Sequence, residues 1–330
     1  MKKPKILIVG SLGMDFTFST NVFPNEGETI IGKSFKTAPG GKGANQAVQV
    51  ARLGADTTMV GKLGKDTNGE ELLKTIDEAH VHHENMLFDD EVPTQVADII
   101  LEEAEGKDTK NRIMIIQGAN MTIKPEEIAF LKEDIKNYDM VILQLEIPME
   151  INEIVAKYAY DAGVPVMLNS APSAPLSDEL LSHLTYISPN EHEAKDITGV
   201  EISYLEDGKI NMDSVKKACQ ALRDKGVKNA LITLGGSGAA LLNDDGFFHS
   251  PCCDKLNVKD PTAAGDSFVG AFCTAVCSGM KMDDVLYFAN HVAALTVCEF
   301  GAMPSLPTLK QVEDFMNSRN ETIPDVSVLK

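Results

Sequence analysis

From Met140 onward the chain alternates short apolar runs with helical segments, and this alternation restricts the fold more than any other feature. Val141–Glu146, Val164–Asn169, Tyr186–Asn190 and Ala230–Gly235 read as strands. Continuous apolar runs of this kind suit strands buried on both faces, as parallel strands linked by helices are. The expected body is therefore an α/β sandwich with a mostly parallel central sheet. Lys5–Gly10 reads as its first strand and Thr57–Gly61 as another. The C-terminal ends of the later strands carry Glu146, Asn169, Asn190 with Glu193, and Thr233 with Gly235-Gly236. Ligands of open parallel sheets bind outside those ends, so a site is expected there.

Other segments do not belong to that alternation. Phe16–Thr20 looks extended, and Thr29–Lys36 reads as a strand. Val96–Glu103 and Ile113–Gln117 read as a hairpin around the polar loop 103–109. Together these predict a small projecting sheet inserted from about 14–38 and 93–118 into a single domain spanning 1–330. Gly27–Ser34 satisfies the spelling of a phosphate-binding P-loop. That motif needs a strand before it and a helix after it, and Phe35–Pro39 cannot begin a helix, so the match is a coincidence. Gly10-Ser11-Leu12-Gly13 starts like a dinucleotide fingerprint, but the glycine spacing fails and a nicotinamide cofactor is not expected. Gly69–Ala79 reads as a surface helix, and His80, His82 and His83 after it as solvated side chains rather than metal ligands.

The chain carries 49 acidic against 30 basic residues, a formal net charge of -19. Such a balance argues against nucleic acid or an anionic membrane as partner. The apolar run after Met1–Lys5 is too short for a secretory signal, and no run approaches the ~18 apolar residues of a membrane span. A cytoplasmic protein is expected. Its six cysteines show no zinc-site spacing and read as free thiols.

Two glycine-rich or small-residue stretches carry the chemistry. In Pro39-Gly40-Gly41-Lys42-Gly43-Ala44-Asn45-Gln46-Ala47 the glycines let backbone approach something small, and the helix that follows stops near Gly54. Lys42 stands in its first turn, where a cation opposes the helix dipole, so a ligand explains it better than helix stability. In Asp260–Phe268, Ala263, Ala264 and Gly265 precede a helix with an apolar stripe of Phe268, Ala271, Phe272 and Ala275. Unpaired N–H groups at such a turn attract anions, and Gly265 permits unusual dihedrals. Asp266 there either caps the helix or takes a proton as a phosphate is attacked. The stretch alone leaves both readings standing.

Taken together, Gly40–Gln46 and Asp260–Ser267 resemble the two signatures of the ribokinase-type sugar kinases, with likeness from Ile6 to about Pro307. The resemblance implies a ribokinase-like three-layer sandwich with a β-sheet lid, and ATP-dependent phosphorylation of the 5-hydroxyl of D-ribose. Asp266 would be the base, and the N–H groups of Ala263, Ala264 and Gly265 the anion hole. Gly13, Asp15, Gly41, Lys42, Asn45 and Glu146 would hold the sugar. Asn190 and Glu193 would orient Mg²⁺-bound waters and phosphate. Thr233, Gly235 and Gly238 would lie along ATP, with Asn290 by the adenine. K⁺ would sit among the Asp260 carboxylate, carbonyls of Thr262, Thr296, Glu299 and Gly301, and Ser305. The lid would also make a homodimer contact. Bacterial members often carry Asn two residues before the equivalent of Asp15, where this chain has Gly13. That departure keeps 2-deoxyribose, fructose or a nucleoside in view as acceptors. A non-catalytic sensor on this scaffold would have lost its base, whereas Asp266, Asn190 and Glu193 are all present.

Overall fold

The computed structural model describes residues 2–103 and 110–330. The loop expected at 103–109 therefore falls, from residue 104 onward, outside the described residues. In chain order, β1 (Lys5–Val9), β2 (Gly13–Thr20) and β3 (Ser34–Gly40) lead to α1 (Lys42–Arg52) and β4 (Asp56–Val60). A short parallel pair, β5 (Lys62–Gly64) and β6 (Leu87–Asp89), brackets α2 (Thr67–Glu78). Strands β7 (Gln95–Glu102) and β8 (Lys110–Ile116) follow, then α3 (Leu131–Asp134), β9 (Met140–Gln144), α4 (Met149–Asp161) and β10 (Val166–Asn169). The second half runs α5 (Asp178–His183), β11 (Tyr186–Ile187), α6 (Glu191–Thr198), α7 (Met212–Asp224) and β12 (Asn229–Thr233). It closes with β13 (Ala239–Asn243), β14 (Gly246–Ser250), α8 (Ala264–Cys277), α9 (Met282–Thr296) and α10 (Leu309–Ser318).

Eight strands form the central sheet in the order β14-β13-β12-β11-β10-β9-β1-β4. All neighbours are parallel except at β13 and β14, which add an antiparallel edge hairpin. Nothing in the sequence reading anticipates that hairpin. Ala239-Ala240-Leu241-Leu242 consists of good helix formers, and pairing with β12 imposes the extended form.

Alternation of side chains along each strand builds two cores. Ile6 and Ile8 of β1 join α1, α2, α8, α9 and α10 on one face, while Leu7 and Val9 join α3 to α7 on the other. The three layers therefore follow from period-two apolar runs with no polar face. Helix α8 is buried nearly all round from Asp266 to Ala275 rather than along one stripe, because it packs between α1 and α9 as well as on the sheet.

Four strands make a second sheet in the order β3-β2-β7-β8, with β2 and β7 parallel and the other pairs antiparallel. The strand expected over 29–36 begins only at Ser34. Ser19 pairs with Ser34 near the end of β2, so earlier residues have no strand opposite them. Gly27–Lys33 is turn and loop and no helix follows it, so the P-loop spelling is indeed coincidental. His80 and His82 are exposed, and no cluster of three or more His, Cys, Asp or Glu side chains suited to a metal exists among the described residues. All six cysteines are free thiols. No helix among the described residues is long and apolar enough to cross a membrane.

Candidate active site

Parallel strands place their C-terminal ends on one edge of the sheet, and three loops converge there. The first is the turn after β1 with the start of α1. Gly41 has φ +88, a conformation that favours glycine, and a Cβ on it would lie 2.7 Å from Gly13 N. A Cβ on Gly43 would lie 2.6 Å from Ser11 N. Helix α1 is thus pressed against the β1–β2 turn. Its first N–H groups find acceptors there: Lys42 N donates to Glu146 Oε2 at 3.1 Å, and Ala44 N to Ser11 O at 2.9 Å. Ser11 Oγ donates to the same Glu146 oxygen at 2.5 Å. Ser11 is a site residue that sequence reasoning missed, since a lone serine after a strand carries no signal of its own.

The second loop leads into α8. Ala263 is its N-cap residue and takes the left-handed conformation, φ 61, at a cost of roughly 1–2 kcal/mol for a residue with a Cβ. The unusual backbone therefore belongs to Ala263 and not to Gly265. Gly265 serves otherwise, because a Cβ there would meet no atom within 4 Å and its backbone lies bare to open space. Ala264 N donates to Pro261 O at 3.2 Å. Among the described residues the N–H groups of Ala263, Gly265 and Asp266 have no acceptor. Three donors at a helix N-terminus are thus free to receive an anion; Ala263 and Gly265 belong to the expected set, and Asp266 stands in place of Ala264.

Asp266 lies in the first turn of α8 and makes no capping bond. Its carboxylate instead accepts from Asn45 Nδ2 at 2.8 Å and Gln46 Nε2 at 3.0 Å. Gln46 Oε1 accepts in turn from Gln144 Nε2 at 2.7 Å. Gln46 and Gln144 were not expected in this role. The polar residue ending the apolar run of β9 is the only trace of it in the sequence.

The third loop follows β11 and β12. Asn190 caps α6: its Oδ1 accepts from His192 N and Glu193 N, both at 2.9 Å, and Glu193 Oε2 accepts from Asn190 N at 3.0 Å. This reciprocal box fixes both side chains. Burial raises the Glu193 carboxyl above its ordinary value. Gly238 has φ +89, and a Cβ on it would lie 2.1 Å from Ser250 O, so β14 can pass close by only because the residue is glycine.

Between the second and third loops lies a cavity of about 760 Å³. Lys42, Asn190, Glu193, Thr233, Gly235, Gly238, Ala263 to Asp266 and Asn290 all line it. Asn290 is anchored by donating to Ser250 O at 2.9 Å. The apolar wall of Leu256, Val258, Ala293, Ala294 and Val297 was not expected from the sequence, because isolated apolar residues look like core. Gly13, Asp15, Gly41, Asn45 and Glu146 do not line this cavity themselves; Gly13 and Asp15 stand on β2 of the second sheet, and Asn45 meets the cavity wall at Asp266.

Charge is concentrated on that side. Burial, then the carboxylates of Glu146, Asp266 and Asp260, push the Asp15 carboxyl up to about 7. Burial by itself would lower the Lys42 ammonium, but Asp266, Glu146 and Glu193 outweigh it and hold it above its ordinary value. Lys42 Nζ makes no ion pair among the described residues, and the carboxylates act on it only at longer range. It is a half-buried cation with carboxylates around it and no direct partner.

Beside the α8 turn, Asp260 Oδ1 accepts from Thr262 N at 2.9 Å and Thr262 Oγ1 at 2.6 Å, and Oδ2 accepts from Gly301 N at 2.9 Å. Asp260 thus joins two loops. The carbonyls of Thr262, Glu299 and Gly301 accept no hydrogen bond among the described residues, while Thr296 O accepts from Glu299 N. Ser305 Oγ donates to Ala302 O at 2.7 Å.

Free N–H groups at a helix N-terminus, a held carboxylate in the same turn and a cavity next to them form an arrangement suited to phosphoryl transfer. Comparison with known proteins agrees. Residues 3–309 match the model of the pfkB family carbohydrate kinases. The chain is 37% identical over 324 residues to a ribokinase of Schizosaccharomyces pombe, covering 96% of this chain and 99% of that one. It is 36% identical to the ribokinase of Bacillus subtilis, covering 94% and 99%. The structure of Arabidopsis thaliana ribokinase complexed with ribose and ATP superposes with a TM-score of 0.85 at 34% identity, covering 96% and 99%. With fold, site geometry and sequence in agreement over nearly its whole length, the chain belongs to the pfkB family of carbohydrate kinases.

Proposed function

We propose that this chain transfers the γ-phosphoryl of ATP to the 5-hydroxyl of D-ribose, releasing ADP and ribose 5-phosphate. The observation that carries this reading is the Asp266 carboxylate. Two amides hold it in the first turn of α8, on the wall of the cavity and beside the free N–H groups. In the reaction the sugar oxygen bonds to the γ-phosphorus, Asp266 accepts its proton, and the bond to the β-phosphate oxygen breaks. Ala263, Gly265 and Asp266 N–H groups meet the charge on the transferring group, and Lys42 adds a positive charge from the α1 side. Positioning and charge account for the rate, since phosphoryl transfer asks little covalent chemistry of a protein. Thr233, Gly235 and Gly238 lie along the nucleotide, and Asn290 with the apolar wall receives the adenine.

Asp15, Gly41, Asn45 and Glu146 bind the sugar hydroxyls. An ionised Asp15 is the better acceptor. With its carboxyl pushed up to about 7, the ribose KM is expected to fall about tenfold from pH 6 to 8. Asp15→Asn should flatten that profile, and a flat wild-type profile would remove the role.

Mg²⁺ and K⁺ both suit residues that are present. Asn190 and Glu193 spend their polar atoms on one another, which fits a Mg²⁺ ion that keeps its waters and is oriented through them. Mg²⁺ supplies neutralising charge to the phosphates. The Asp260 carboxylate with the carbonyls of Thr262, Thr296, Glu299 and Gly301, and with Ser305, is an all-oxygen set suited to K⁺ beside the anion site. The second sheet acts as a lid. Consecutive exposed apolar residues Ile113 to Ile116 on β8 support a homodimer formed through it, which sedimentation velocity reads directly. Free thiols agree with a cytoplasmic location.

The test is ADP release from MgATP with D-ribose, in potassium and in sodium, against 2-deoxyribose, fructose and adenosine. Preference for ribose and faster turnover in potassium are expected. Equal rates in the two salts would dismiss the cation site, and preference for another acceptor would dismiss ribose while keeping the chemistry.

A further inference from the structure

Strands β2 and β7 run parallel with Gly13 opposite Gln95 and Asp15 opposite Ala97, and on the other side Gly40 faces Gly13 and Ala38 faces Asp15. Paired residues share a face, as do residues two apart along a strand, so these six positions form one patch around Asp15. Four of the six are glycine or alanine. Gln95 is the long neutral side chain among them. It is only 4% exposed, and a Cβ on Gly13 would lie 2.6 Å from its Nε2, so its amide fills the space that a side chain at Gly13 would take.

The orientation of that amide is dictated from behind. Asn120 Oδ1 accepts from Leu12 N at 3.1 Å, and Asn120 Nδ2 donates both to Leu12 O at 2.8 Å and to Gln95 Oε1 at 2.9 Å. Both Leu12 groups fix which end of Asn120 is the donor, and this fixes Gln95 with Oε1 toward Asn120. Gln95 Nε2 is left with no acceptor among the described residues. A nearly buried amide donor without a partner is costly unless something else satisfies it.

Resting on the sugar-kinase reading above, we propose that Gln95 Nε2 donates to a ring hydroxyl of the acceptor next to the one held by Asp15, and so reads a vicinal diol. Asn120 is its positioning residue. A sugar lacking that hydroxyl leaves the donor unpaired, which is the kind of mismatch that polar sites reject best.

The test is steady-state kinetics of Gln95→Ala and Gln95→Glu with D-ribose and 2-deoxyribose. Gln95→Glu keeps the shape and the acceptor for Asn120 but removes the donor. In both variants the ribose KM is expected to rise at least about tenfold with the KM for MgATP unchanged; in Gln95→Ala, which adds no charge beside Asp15, kcat/KM for 2-deoxyribose moves less than about threefold. Gly13→Asn with Gln95→Gly, which returns an amide to the same space from the neighbouring strand, should recover most of the ribose affinity. Equal losses on both sugars in Gln95→Ala, or no change on ribose in either variant, would overturn the assignment alone. A wild-type protein that turns over no ribose would overturn the acceptor reading and this inference with it.

Discussion

Replacing Asp266 by Asn is expected to lower kcat by about 10²–10⁴-fold while leaving the fold and nucleotide binding intact. The substitution removes the proton acceptor but not the volume. Its new NH₂ group would face a donor in place of the carboxylate oxygen that now accepts from Asn45 Nδ2. Asn45 Oδ1 has no partner in the present arrangement, so rotating that amide by half a turn presents an acceptor to the new donor. The structural cost should then be under about 1 kcal/mol, within the range of one neutral hydrogen bond. Unchanged thermal midpoint with turnover lost is the pattern to look for in calorimetry and coupled-assay kinetics. Near-wild-type turnover would mean that the proton leaves by another route and that Asp266 only organises Asn45 and Gln46.

The second large effect is expected from Gly43→Ala, a change of one methyl group that alters no titratable group. A Cβ there would lie 2.6 Å from Ser11 N, 2.7 Å from Gly10 C and 2.8 Å from Ser11 O. These are backbone atoms beside a central strand, so α1 must move instead. Moving it strains the bonds from Lys42 N to Glu146, from Gly43 N to Ser11 Oγ and from Ala44 N to Ser11 O. It also carries Asn45 and Gln46 away from Asp266. Overpacking of this kind costs roughly 1–3 kcal/mol in stability. The loss in kcat/KM should be larger in proportion, about 10²-fold, because catalytic positioning tolerates little displacement. A scanning-calorimetry shift of a few degrees with a hundredfold kinetic loss would bear this out. Wild-type kinetics would show that the close approach of α1 to the β1–β2 turn is not what sets the site.

Asp266 and Gly43 differ in how far the sequence alone reveals their roles. Asp266 stands out in the sequence because a carboxylate in a run of small residues at a helix start is chemically odd. The glycines of Gly40–Gly43 stand out too, but their spacing says only that something comes close. The structure shows that for Gly43 the close neighbour is the chain's own backbone at Ser11, not a ligand. The Asn190–Glu193 pair was likewise legible as a motif, yet each side chain turns out to be held by the other.

The apolar runs by themselves determined the sandwich, since a strand such as Ile6–Val9 with no polar face can only lie between two layers. The same local logic placed polar residues at the strand ends and set the small-residue turn ahead of α8. Tertiary structure alone decided which partners those residues found. Ser11 meets Glu146 across 135 positions, Asn45 meets Asp266 across 221, and Gln95 takes its orientation from Asn120 and Leu12. It also decided that Ala263 rather than Gly265 bears the left-handed turn, and that Ala239–Leu242 extends along β12. The physical reason is that periodicity and helix capping act over a few residues and are written in adjacent letters. A hydrogen bond between distant side chains depends on strand register and helix packing, which exist only once the chain has folded.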